Sequence, residues 1–324
     1  MTVLEAVREA MREEMERDPL VFVMGEDIGA RGGVFLATDG FVEQFGEERV
    51  IDTPLAESSI AGIALGAAMH GMRPIAEIEF ADFIWPTFNQ LVGEAARVRY
   101  GTNGAMSAPL VVRAPYGGGV RGGLYHSQSP EAYFAHTPGL KVVAPATPYD
   151  SKGLLKSAVR DDDPVIFLEH KRTYRLVRGE VPEGDYTLPI GKADVKMEGE
   201  DIGVITYGLM LHLCLEAART LADEDVSVEV LDLRTIRPLD EEAILDTARK
   251  TGKVLIVHED TKAGGIGGEI SAIISEGAFE YLDAPVMRLA GPEVPAMPFS
   301  PPLEAMFMPD ADRIAQAMRK LAGY

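Results

Sequence analysis

The chain has 324 residues, of which 46% are hydrophobic and 25% charged, with a formal net charge of −20. That length exceeds one simple core and implies two globular domains, while the acidic balance argues against nucleic acid and anionic membranes as partners, since both are polyanions. The single cysteine, Cys214, excludes an internal disulfide and any cysteine-based metal cluster.

In chain order, Thr2 followed by Glu5 reads as a capping box opening a helix with Val3, Leu4, Val7 and Met11 on one face. This acidic amphipathic start is not a signal peptide, and no apolar run approaches membrane-spanning length, so the expected compartment is the cytoplasm. A short buried strand, Leu20 to Met24, leads into a glycine-rich turn, Gly25 to Gly33. The segment Asp52 to Glu57 precedes a helix dense in small residues, including Ala61, Gly62, Gly66 and Ala67. Arg73 to Phe80 reads as a strand and Thr87 to Tyr100 as a helix. Leu110 to Ala114, Val142 to Ala144 and Val165 to Leu168 read as strands, with a helix over Ser151 to Arg160. Alternation of this kind predicts a parallel sheet covered by helices on both faces.

Between Tyr174 and Lys196 the pattern lapses into charged residues, Pro182, Gly184 and Pro189, which places a domain boundary there and divides the chain into 1–186 and 187–324. A second alternating block follows, with strands at Ile202 to Tyr207, Val226 to Leu231, Val254 to Val257 and Val286 to Leu289. Helices are expected over Leu209 to Leu221, Glu241 to Lys250 and Gly268 to Glu280. The tail Pro292 to Pro309 is proline-rich, and a helix over Asp310 to Leu321 ends the pattern. Asparagine occurs only at Asn89 and Asn103, the scarcity of heat-labile amides expected of a thermophile.

Candidate chemistry falls on loops at strand ends, where open α/β sheets hold ligands. Glu57 stands where a carboxylate is stabilised by a helix dipole, and a capping role alone would explain it. His126 lies on a polar, glycine-flanked loop, a setting that raises a lone histidine above a structural role. Phe80, Phe83, Trp85 and Phe88 are most simply core. The glycine runs Gly117 to Gly119 and Gly264 to Gly268 do not fit a P-loop, and the second resembles a dinucleotide fingerprint only loosely and lies too late in the chain.

Several blocks in order, Asp52-Thr53-Pro54-Leu55-Ala56-Glu57, Phe80-Ala81-Asp82-Phe83, Tyr125-His126-Ser127-Gln128-Ser129-Pro130-Glu131-Ala132, Asp232-Leu233-Arg234-Thr235-Ile236 and His258-Glu259, resemble the β subunit of 2-oxo acid dehydrogenase decarboxylases. The resemblance implies two doubly wound α/β domains, a pyrimidine-binding domain and a transketolase C-terminal-like domain. It implies half of a thiamine-diphosphate site; the α subunit supplies the Mg2+ and diphosphate half, whose Gly-Asp-Gly motif does not occur here. By position, Glu57 matches the glutamate on the pyrimidine ring nitrogen and Phe83 the aromatic packed against that ring. Leu55, Glu79 and Ile28 match further cofactor contacts, although relatives often carry a neutral side chain where Glu79 stands. His126 matches the histidine implicated in proton handling and acyl transfer to lipoyl-lysine.

The blocks around Phe80 to Pro86 and Leu124 to His136 resemble branched-chain enzymes more than pyruvate enzymes, with Asp82, Ile84, Trp85 and His126 on the substrate side. Pocket methylenes discriminate by only ~1–3 kcal/mol, so overlap with pyruvate is expected. The resemblance also implies a potassium ion on the backbone of Ala158, Asp161 and Asp163, an α2β2 heterotetramer, and docking to a lipoyl acyltransferase core through its lipoyl and peripheral binding domains. A β subunit of pyruvate or acetoin dehydrogenase and a non-catalytic assembly scaffold are the rival readings.

Overall fold

The computed structural model describes residues 1–324, which divide into two compact units. The first comprises Met1–Tyr116 and Tyr133–Ile190, the second Gly117–Ala132 and Gly191–Tyr324.

The first unit holds β1 (Val21–Gly25), β2 (Val50–Asp52), β3 (Arg73–Glu77), β4 (Val111–Tyr116), β5 (Lys141–Val143) and β6 (Val165–His170). They lie in the order β5-β6-β4-β3-β1-β2, with every pair parallel. Strands β1, β4 and β6 are buried along their whole length, which is why they read as continuous apolar runs instead of alternating ones. The helix Val3–Arg17 opens on the expected capping box, with the Thr2 side chain accepting from the Glu5 amide. Its apolar face, Val3, Val7 and Met11, packs with Leu154, Leu155 and Val159 of the helix Pro148–Arg160 over Val21, Val23, Ile75, Val165 and Phe167.

One element departs from expectation. In place of a regular helix over Thr87 to Tyr100, the chain makes a 3-10 turn at Trp85–Thr87, a π-helical stretch at Asn89–Glu94, another 3-10 turn at Ala95–Arg97 and an α-turn at Val98–Gly101. The Ala95 amide straddles the Gln90 and Leu91 carbonyls, a widened turn that apolar periodicity does not encode. Tertiary packing fixes it, because Gly139 abuts the carbonyl of Ala96 where any side chain would collide.

The second unit carries β7 (Asp194–Met197), β8 (Ile202–Thr206), β9 (Val228–Asp232), a short β10 (Thr235–Arg237), β11 (Val254–Thr261) and β12 (Met287–Gly291). A five-stranded sheet runs β12-β11-β8-β9-β7 and is parallel except for the edge strand β7, which pairs antiparallel with β9. The pattern did not reveal β7 because its residues are only partly buried. Helices Leu209–Ala222, Glu241–Thr251, Gly267–Gly277 and Ala311–Ala322 accompany this sheet. No helix is long and apolar enough to cross a membrane.

Candidate active site

Parallel packing of β1, β2 and β3 brings their carboxyl ends side by side, with Gly25, Asp52 and Glu77 at the exits of the three strands. The turn after β1 is tied to β2 by the Gly29 amide, which donates to Asp52 Oδ1 at 2.9 Å. Its Ile28 is fully buried. After β2, Leu55 stands 71% exposed, and the helix Glu57–Met69 begins. The N-cap, Ala56, has no side chain able to cap, and Glu57 is the acidic residue of the first turn, where the helix dipole favours a negative charge.

The carboxylates gather at these strand ends. Burial raises Glu26, and Asp27 and Glu57 add to the effect. Glu79, just past β3, is pushed up to about 7 by burial and then by Glu26, Asp27 and Glu77. A carboxyl in that range holds or releases a proton near neutrality, the property required of an acid–base group.

Beside them runs a ladder of aromatic rings: Phe35 meets Phe80 edge-on at 5.5 Å between centroids, and Phe80 meets Phe83 at 5.7 Å. Lys171 sits over the Phe80 ring at 5.8 Å. Asp82 and Ile84 are buried, whereas Trp85 is 40% exposed and packs edge-on to Tyr133 at 4.9 Å. The helix Glu57–Met69 packs on the Trp85–Thr87 turn. Glu57, Leu55, Glu79, Phe83, Ile28, Asp82, Ile84 and Trp85 therefore all belong to the first unit, whereas His126 belongs to the second.

Beneath this surface lies a network absent from the sequence reading. Arg113, 1% exposed in β4, donates through Nε and Nη2 to the two oxygens of Glu169 at 2.6 Å each and through Nη1 to Glu77 at 2.5 Å. The Tyr174 hydroxyl also donates to Glu169. A lone arginine inside the apolar run Leu110 to Ala114 was the available signal, since arginine is almost never fully buried unless paired.

His126 follows a 3-10 turn at Gly123–Tyr125 in a loop closed at its base by the Gly117 amide donating to the Gln128 carbonyl at 3.0 Å. Next along the chain, Glu131 is fully buried, accepts the Tyr207 hydroxyl at 2.6 Å, and is pushed up to about 8 by burial and the nearby Asp260. His258, also fully buried, is driven down to about 4 by desolvation and is therefore a neutral imidazole.

The stretch matched to potassium, Ala158 to Asp163, is rich in hydrogen bonds and ion pairs. The Ala158 carbonyl accepts the Asp161 amide, and the Asp161 carbonyl accepts Arg73 Nη1 at 2.9 Å. The Asp161 carboxylate is paired with Lys141 and that of Asp163 with Arg99, both at 2.5 Å. Arg73, Lys141 and Arg99 surround this corner, and the backbone oxygens of Ala158, Asp161 and Asp163 are the ligands the resemblance implies for potassium.

Two domain families match the chain: "Transketolase, pyrimidine binding domain" over residues 1–177 and "Transketolase, C-terminal domain" over 191–314. A solved structure described as a split gene transketolase, inactive β4 tetramer, superposes with a TM-score of 0.81 at 24% identity, covering 100% of this chain and 98% of that one. These define the class as a transketolase-type α/β protein with a pyrimidine-binding domain. At higher identity, the chain is 63% identical over 324 residues to the 2-oxoisovalerate dehydrogenase subunit beta of Bacillus subtilis (strain 168), covering 100% of this chain and 99% of that one. It is 47% identical over 321 residues to the pyruvate dehydrogenase E1 component subunit beta of the same organism and 43% over 320 residues to that of Staphylococcus aureus, covering 99% of this chain and 98% of each relative. The chain belongs to the family of 2-oxo acid dehydrogenase β subunits.

Proposed function

We propose that this chain is the β half of a thiamine-diphosphate-dependent decarboxylase acting on branched-chain 2-oxo acids and passing the acyl group to lipoyl-lysine. The observation that carries the reading is the set of acids, Glu57, Glu26 and Glu79, at the exits of parallel strands beside the Phe80–Phe83 ring pair. An aminopyrimidine needs a carboxyl at a ring nitrogen and a flat apolar surface against its face, and this donor set fits both needs.

Bound thiamine diphosphate supplies a nucleophilic carbon and an electron sink. In this reading Glu57 holds a proton at the pyrimidine ring nitrogen, and Phe83 packs against the ring. Leu55 lines its apolar side, with Ile28 shaping that side from within the core, and Glu79, poised near neutrality, buffers the neighbouring charge. Asp82, Ile84 and Trp85 form the substrate side, with Ile84 acting from within the core as a shaping residue. His126 serves the acyl transfer. Mg2+ and the diphosphate belong to an α partner in an α2β2 assembly, and the acidic chain docks to a basic binding domain of the acyltransferase core. Residues 1–186 are taken as the pyrimidine-binding domain and 187–324 as the C-terminal one, in line with the family matches over 1–177 and 191–314, with the segment Gly117–Ala132 of the first stretch packed into the second compact unit. Cytoplasm is the proposed compartment, branched-chain amino acid breakdown the proposed setting, and a hot-growing source fits the amide-poor composition.

The test pairs the chain with its matched α subunit, thiamine diphosphate and Mg2+, and assays 3-methyl-2-oxobutanoate and pyruvate in parallel. Faster turnover of the branched acid, abolished in Glu57→Gln with unchanged unfolding temperature, is the expected result. Substantial turnover by Glu57→Gln would remove Glu57 from its role, and preference for pyruvate would turn the substrate assignment to the other relative. Assembly with the α subunit without turnover of either acid would leave the scaffold reading.

A further inference from the structure

The proline-rich tail Pro292 to Pro309 plays no part in the chemistry above, yet it meets the loop that carries His126. Two carboxylates from distant parts of the second unit reach the main chain of that loop. Glu259, 3% exposed at the end of β11, accepts from the Gly118 amide at 2.5 Å and from Ser129 Oγ at 3.2 Å. Glu304, 7% exposed in the tail helix Pro301–Phe307, accepts from the Gly119 amide at 3.0 Å and the Arg121 amide at 2.9 Å through the same oxygen.

Backbone bonds within the loop join Gly117 to Gln128 and His126 to Gly123. Gly117, Gly119, Arg121 and Gly123 all have positive φ, so a regular hydrogen-bond ladder cannot form across it. Inside the loop, Gln128 Nε2 reaches the Leu124 carbonyl at 3.2 Å, and Gln128 Oε1 accepts the Met297 amide at 3.3 Å. Met297 and Met308 lie over Gly118, where a Cβ would require the methionine ends to shift, and Phe299 covers Gly123. The tail therefore contacts the loop at Gly118, Gly119, Arg121, Gly123 and Gln128, with Glu304 its carboxylate on the loop and Glu259 of β11 a second one from outside the tail.

We propose that Glu259 and Glu304 are positioning residues: each accepts loop hydrogen bonds, and together they set the conformation in which His126 is presented for acyl transfer. This inference rests on the reading of His126 given above. A hydrogen bond to a charged group is about twice as strong as a neutral one, and a buried carboxylate facing an amide cannot be replaced by water without moving the loop. An amide oxygen at position 304 can still accept both N–H groups, whereas a methyl group cannot.

The experiment uses the full chain in its α–β assembly and reads three quantities for each variant. These are hydrogen exchange of the peptide spanning 117–129, decarboxylation with an artificial electron acceptor, and acyl transfer to a lipoyl domain. Glu304→Ala is expected to raise exchange and to lower acyl transfer, each ~10-fold, with a smaller loss of decarboxylation, while Glu304→Gln, which keeps the acceptor without the charge, recovers about half of each loss on a logarithmic scale. Ser129→Ala, which removes one donor to Glu259 and leaves both carboxylates in place, gives the same pattern at roughly threefold size and decides the matter should Glu304→Ala not fold. Unchanged exchange, equal losses in the two assays, or Gln as damaging as Ala would overturn the positioning role. His126→Ala is measured alongside: full acyl transfer there locates the failure in the reading of His126, and the positioning role falls with it.

Discussion

Replacing Arg113 by Met tests whether the buried network under the candidate site is held by charge. In the parent, Arg113 is 1% exposed and faces Glu77 at 2.5 Å and Glu169 at 2.6 Å. Burial, with Glu169 adding to it, pushes the Glu77 carboxyl above the ordinary range, while Arg113 pulls it back. Removing the cation leaves two buried carboxylates facing each other, and breaking a buried ion pair from one side costs about 3–5 kcal/mol.

The cost should depend on pH, with a definite sign. Without Arg113 the Glu77 carboxyl loses the cation that pulls it down and titrates further above its unfolded value, so the folded variant binds more protons than the unfolded chain, and its stability falls as pH rises. One proton retained from pH 8 down to pH 6 returns about 2.7 kcal/mol. Urea unfolding of parent and Arg113→Met at pH 6, 7 and 8 should therefore show a gap of about 3–5 kcal/mol at pH 8 that narrows by up to about 2.7 kcal/mol at pH 6. A gap of constant size across that range would refute the electrostatic account and leave lost packing as the cause.

Other outcomes can be read with simpler tools. Burial pushes the Cys214 thiol up to about 12, so a thiol reagent at pH 8 should label it only as fast as the protein unfolds; rapid labelling of the native chain would contradict its burial. Gly139 has φ +97, and an added Cβ would overlap the Ala96 carbonyl, so Gly139→Ala should lower stability by ~3 kcal/mol or more, from strain plus overpacking. A change in unfolding free energy under 1 kcal/mol would show that the 89–97 segment shifts at no cost. His126→Ala should reduce acyl transfer to a lipoyl domain more than decarboxylation with an artificial acceptor, and equal losses would end that division of labour.

Local pattern alone determined the alternation of elements, because buried parallel strands are apolar runs and surface helices carry a stripe, and both survive in a single sequence. The capping box at Thr2 and Glu5 belongs to this class, since all its partners lie within four residues. Motif order brought Glu57, Phe83 and His126 forward as site residues. Tertiary structure alone decided the rest. The π-helical stretch Asn89–Glu94 is a register set by neighbours, and the pairing of Arg113 with Glu77 and Glu169 joins strands 36 and 56 residues apart. Glu259 and Glu304 reach the His126 loop across 141 and 185 residues. A buried charge has meaning only through the partner that compensates it, and periodicity carries no record of which distant residue that partner is.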